Sequence, residues 1–241
     1  MCSSDLSCFL DPELKVQRIW DDELKTILGR HTPVAERLKN FYLEIRENLG
    51  GRSPQLMDLF AAGYDIDPRA FISHFGNWLR AKLYCEDGRL DPCENDILAT
   101  PGEAFLQHLE KDLRPVRSYK MVVLLSLLEM PGTQWAIEDI AVRFLNHFLA
   151  HPDHLPDYED LARAEEPGKF PLDLIIRKLR KMPLHFLSNS PKDFFILDLN
   201  QNRFLLQQAV HPFWMDDHFR MLVRDRRSEE RRVGKECRSR W

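Results

Sequence analysis

The densest apolar run in the chain is Ser118 to Leu128, SYKMVVLLSLL. It is too short to span a bilayer and predicts a helix buried on most of its sides. Pro131-Gly132-Thr133 ends it. A second helix follows from Ile137, Ile140, Ala141, Phe144 and Phe148 on one face, with Glu138, Asp139, Arg143 and Asn146 away from that face. A third starts at Pro171, a favoured first-turn proline, and places Leu172, Ile175, Ile176 and Leu179 at helical spacing. Two strand-like runs, Phe194 to Leu199 and Arg203 to Leu206, flank Asn200-Gln201-Asn202 and predict a hairpin. Three helices and a hairpin predict a winged-helix-like module over residues 117–226. Such modules mainly bind nucleic acid and often dock proteins.

Upstream, the pattern is helical throughout. Leu14, Ile19, Leu24 and Leu28 lie among charged residues and predict an amphipathic helix. Thr32-Pro33 starts another, carrying Val34, Leu38, Phe41, Tyr42 and Ile45, and Gly50-Gly51 stops it. These two form a helical connector over residues 7–51. Ser53-Pro54 opens a short helix with Leu56, Leu59 and Phe60 inward, and Gly63 closes it. Asp67-Pro68 opens the next, with Phe71, Ile72, Phe75, Trp78 and Leu79 as one apolar face and Arg69, His74, Asn77 and Arg80 facing out. A short helix, a turn and an aromatic-rich helix make a helix-turn-helix module over residues 52–112, or a plain helical hairpin. Tyr84 to Pro101 reads as a surface loop and domain boundary, and Phe105, Leu106 and Leu109 as a short helix. His151 to Lys169 reads as a long solvated connection, and Pro212 to Arg226 as one final helix. The fold class expected is therefore mostly α (α+β).

Composition changes the picture at the ends. Arg227 to Trp241, RSEERRVGKECRSRW, back-translates codon for codon into a common short-read sequencing adapter. Met1 to Leu6, MCSSDL, matches the partner adapter in the opposite orientation. Residues 1–6 and 227–241 are therefore expected to be adapter artefacts around a natural insert, itself a piece of a larger protein. The whole chain has a net charge of −4. Without the six basic and four acidic residues of those tails, 28 basic and 34 acidic residues remain, a net charge of −6. Binding of nucleic acid must then come from a local basic patch. Cys8, Cys85 and Cys93 remain outside the tails, with no C-x-x-C, which suits a reducing cytoplasm rather than a zinc ribbon or disulfide framework. No signal peptide or membrane-spanning stretch is expected.

The clearest local signal is the basic surface of the third helix. Arg177, Lys178, Arg180 and Lys181, with Lys192 and Arg203 near the hairpin, form a set that neutralises several phosphates. Asn189 and Asn200 are placed to touch bases. The plainer reading is a solvated basic face near a helix C-terminus, where the dipole favours cations. No P-loop, G-x-G-x-x-G or G-x-S-x-G occurs, so no catalytic residue and no cofactor are assigned. His147, His151 and His154 have the spacing of shared metal ligands on one helix. Pro152 ends that helix, so they read as ordinary solvated histidines and no metal site is assigned. Asp198 to Asn202 resembles the start of a calcium loop but has Arg203 where glycine is needed and Ala209 where glutamate is needed, so it reads as a hairpin turn. Asp193 and Asp198 flank a strand without the lysine motif of a nuclease.

Several motifs occur together in order. Arg52-Ser53-Pro54, Asp58-Leu59-Phe60 and Gly63-Tyr64 precede Phe75-Gly76-Asn77-Trp78. Phe105-Leu106, Leu109-Glu110 and Ser118-Tyr119-Lys120-Met121 follow, and Phe219 to Arg226 closes the series. This order resembles the region C-terminal to the motor in large bacterial superfamily II DEAD/DEAH-box helicases. The Arg52 to Trp78 stretch is also similar to small helix-turn-helix repeats found beside homing endonucleases. The helicase resemblance implies a parent that uses ATP and magnesium, a non-enzymatic accessory fragment, and DNA and the parent's helicase motor as partners. The competing expectation is a protein-interaction or autoregulatory helical module with no nucleic-acid contact.

Overall fold

Helix formation follows the apolar periodicity closely, and the computed structural model describes residues 32–62, 66–112, 119–152, 154, 158–189 and 194–226. The expected Leu10 to Leu28 helix and both adapter-like tails lie outside these residues. The chain is mostly helical with one small sheet. Helix α1 (Val34–Asn48) buries Leu38, Phe41, Tyr42 and Ile45. Gly50 and Gly51 end it with positive φ, which glycine adopts at little cost. Then come α2 (Leu56–Ala61), α3 (Arg69–Phe75) and α4 (Trp78–Cys85).

The single helix expected after Asp67-Pro68 is two. Gly76 has φ +95°, outside the helical region, and Asn77 caps α4 by accepting the Arg80 N–H. Asn77, expected to face out, is buried, because its amide also donates to Glu103 at 2.8 Å. Trp78 meets Phe71 edge-on at 5.6 Å and Tyr42 at a tilt at 6.0 Å between centroids, and the three centre a first core that α1 to α4 share.

Residues 86–100 are not a plain surface loop. They form α5 (Pro92–Asn95), and Glu94 is buried there because Lys82, also buried, meets both its oxygens at 2.6 and 2.7 Å. Ile97 enters a second, larger core. Helix α6 (Pro101–Lys111) follows, capped by Thr100. Its Phe105 sits among Phe194, Phe195, Trp214 and Phe219 at 5.2 to 6.1 Å. The first core ends at Cys85 and, apart from Leu79, the second begins at Ile97, so α6 packs with the downstream elements.

The second core is built by α7 (Tyr119–Glu129), α8 (Ile137–Ala150), α10 (Leu172–Lys181) and α11 (Pro183–Ser188) with a three-stranded sheet. A short α9 (Glu159–Ala162) lies in the connection between α8 and α10, where Tyr158 and Leu161 are buried. Strand β1 (Gln134–Ala136), unseen in the sequence pattern, joins β2 (Phe195–Asp198) and β3 (Arg203–Leu206) in the order β1-β3-β2, all antiparallel. Trp135, Phe204 and Leu197 line up across one face, and Gln134, Leu205 and Ile196 across the other. The hairpin turn is held by Asp198, which accepts the N–H groups of Asn200 and Gln201.

The last stretch also divides. Helix α12 (His211–Trp214) stops before Asp216, whose carboxylate accepts the Phe219 N–H and starts a new helix, α13, over residues 217–226. The end of α13 ties the cores together. Asp225 accepts the Leu56 and Met57 N–H groups at the start of α2. Arg226 meets Glu110 at 2.9 Å, both side chains fully buried, and Glu110 accepts the Trp78 N–H that starts α4.

Candidate nucleic-acid interface

Helix α10 owes its two faces to spacing. Ile175 and Leu179 are buried against α8, which leaves Arg177 and Lys181 exposed and Lys178 and Arg180 at the flanks. Those flanks lead to different neighbours. Arg177, Arg180 and Lys181 line one cleft of about 590 Å³ with His185 of α11. Its other walls are Glu138 and Asp173, which are acidic, and Ile176, Leu197 and Leu199, which are apolar. The cleft thus lies between α10, the start of α11, the start of α8 and the hairpin.

Arg180 fixes the wall of this cleft. Its guanidinium donates to the side-chain Oδ1 of Asn202 in the hairpin turn, and the Asn202 side-chain amide donates to Glu138. Asn202 sits at φ +53°, a left-handed position that asparagine tolerates. One residue of the turn thus bridges an arginine on α10 and a carboxylate on α8. Arg177 and Lys181 make no hydrogen bond or ion pair among the described residues. Their charges are exposed in the cleft and available to an anion.

Lys178 lies elsewhere. Its ammonium is 2.8 Å from Asp160 and sits over the Tyr158 ring at 4.1 Å and the Tyr119 ring at 5.6 Å. The Lys178 ammonium holds the Asp160 carboxyl below its ordinary range. Arg203 is on β3, exposed, paired in register with Asp198 and Ala136, and donates to Gln134 at 3.3 Å. Lys192 lies outside the described residues. Of the six expected phosphate contacts, the fold brings Arg177, Arg180 and Lys181 together and sets Lys178 and Arg203 apart. Asn200 stays at the exposed turn, and Asn189 is engaged with His185 at 3.0 Å.

Sequence reasoning missed His185 and Asn202. His185 follows Pro183, and that proline as the first residue of a new helix was the available signal. Nothing in the sequence signals that Asn202 bridges two helices.

A second cleft, about 680 Å³, lies where α1, α4 and residues 86–94 meet His218 of α13. Several of its wall charges are already paired. Arg46 pairs with Glu86 at 2.7 Å, Arg52 with Asp58 at 3.0 Å, and Lys82 with Glu94. The three expected solvated histidines are close together at the end of α8. Among the described residues no group of three or more His, Cys, Asp or Glu side chains is arranged, as it stands, to hold a metal ion. No helix among them is long and apolar enough to cross a membrane. No protein-family model matches the chain, and neither do curated proteins or solved structures.

Proposed function

We propose that residues 119–206 act as a winged-helix-like DNA-binding module, with α10 and the hairpin gripping the phosphate backbone. The observation that carries this reading is the convergence of Arg177, Arg180 and Lys181 on one cleft beside the hairpin. The element order supports it: α7, β1, α8, the short α9, α10, α11 and the β2–β3 hairpin, with β3 central in the sheet. The connection from α8 to α10, residues 151–171, is much longer than the turn of a simple helix-turn-helix. The grip is therefore assigned to the α10 cleft and not to a docked α8–α10 pair. On the resemblance noted above, the module is a non-catalytic accessory region of an ATP-dependent helicase. It steadies duplex or displaced DNA while a motor elsewhere in the parent uses ATP and magnesium.

The test is binding of a labelled duplex and of a labelled single strand to the chain and to an Arg177→Ala/Lys181→Ala variant. Both residues are exposed and their side chains have no partner among the described residues, so the fold should survive the change, which circular dichroism checks. The expected result is a loss of affinity of about tenfold or more for both the duplex and the single strand, because phosphate contacts do not depend on base sequence. Unchanged affinity overturns the DNA reading of this cleft.

A protein-docking reading rests on a different observation. Leu199 is 61% exposed on the same cleft, Leu174 and Ile196 are exposed nearby in sequence, and Glu138 and Asp173 add negative charge. Loss of binding to the parent's motor in a Leu199→Asp variant, with DNA affinity intact, would favour that reading.

A further inference from the structure

We infer that the α10 cleft takes one unpaired nucleotide of a single-stranded DNA segment, with its phosphate on Arg177 and Lys181 and its base on the apolar wall. This rests on the DNA reading above and narrows it from DNA in general to an exposed strand. Arg177 and Lys181 are four residues apart on α10, so they stand one above the other on the same face, close enough to share one phosphate. Asp173 lies four residues before Arg177 on that face. The apolar part of the lining is Ile176 of α10 with Leu197 and Leu199 of the hairpin.

The mixture of wall chemistries suits a nucleotide better than a duplex backbone. Arg177, Arg180 and Lys181 bring three positive charges and Glu138 and Asp173 two negative ones, which leaves +1 with His185 neutral. One phosphodiester, with its single negative charge, matches that. A run of phosphates would press further negative charge against both carboxylates. A duplex backbone also presents phosphates and sugars while its bases are stacked inside, so the leucines would find little to cover them. A single strand can splay a base outward, and a base fills such a wall. Its N–H groups then donate to Asp173, or to the Glu138 oxygen that the Asn202 amide leaves open. Leu199 is 61% exposed at the rim and is the apolar surface that a base would cover. A volume of about 590 Å³ is in the range of sites that hold one small organic group.

The test is fluorescence anisotropy at one fixed salt with three labelled probes of equal length. These are a mixed-sequence single strand, its blunt duplex, and a strand with abasic residues in place of the nucleosides. The single strand should bind about fivefold or more tighter than either of the others. Leu199→Ser, at an exposed turn position, should weaken the single strand by about threefold or more and leave the abasic strand unchanged. Arg177→Ala/Lys181→Ala should weaken all three. If none binds, or none responds to Arg177→Ala/Lys181→Ala, the DNA reading itself fails and the inference with it. If all three respond to that variant, yet the single strand binds no tighter than the abasic strand or the duplex, the phosphate grip stands and the inference alone is overturned. Single-strand affinity unchanged in Leu199→Ser overturns it in the same way. Competition by free deoxyadenosine monophosphate as strong as by the unlabelled strand would assign the cleft to a small molecule and overturn it as well.

Discussion

Arg177 and Lys178 are neighbours on α10, yet one points into the basic cleft and the other into an aromatic cage. Their sequence signal is identical, two adjacent cations on an amphipathic helix. What separates them is the 151–170 connection, which brings Tyr158 and Asp160 to Lys178 from a distance no periodicity reveals. Lys178→Met should therefore lower stability by about 0.5–2 kcal/mol in denaturant melts, through the lost contact with the Tyr158 face. It should leave DNA affinity within about twofold of the parent. A DNA defect like that of Arg177→Ala/Lys181→Ala would return Lys178 to the interface. Glu103 shows the same dependence on partners. Burial pushes its carboxyl up, but the Arg80 guanidinium, the Asn77 amide and the Ala99 N–H together hold it at about 2. A carboxyl below its ordinary 4.5 stabilises the fold above that pH, and the contribution fades as pH falls toward 2. Glu103→Gln should cost about 1–3 kcal/mol at neutral pH. The gap between variant and parent should close over the same pH range in urea melts. A gap that stays constant with pH would contradict this.

At the scale of elements, the apolar pattern located the helices well and their breaks poorly. The stretch Phe71 to Leu79 has one continuous helical face, and both helices do bury it. The break at Gly76-Asn77 follows from a positive φ and a cap, both local, but the unbroken spacing of apolar residues masks them. Asp216 divides the final helix in the same way. Strand β1 is three residues long, too short for alternation to register, and it exists because β3 pairs with it. The end of α13 is the element whose role depends most on long-range contact. Its Asp225 and Arg226 serve the starts of α2 and α4, one directly and one through Glu110. Arg226→Ala should destabilise by about 3–5 kcal/mol, because it leaves the Glu110 charge buried without its partner. Combining it with Glu110→Gln should recover part of the loss. A simple addition of the two costs in thermal melts would mean that the residues do not act as a pair.

For the whole molecule, the sequence indicated the fold class and the basic helix. It did not show that α6, grouped with the helices before it, packs with the elements after it. The site was half legible. Charge spacing marked α10, but only folding sorts Arg177, Arg180 and Lys181 from Lys178 and Arg203. The overall charge of −4 opposes DNA at long range, so the account depends on that local sorting. The most direct measurement is the salt dependence of DNA affinity for the parent chain and for Arg177→Ala/Lys181→Ala. Each phosphate contact on duplex DNA contributes about −0.9 to the slope of log affinity against log salt. The account predicts that the variant's slope is shallower by about 1 to 2. Equal slopes for the two proteins would contradict it, and would leave the cleft without a role on DNA.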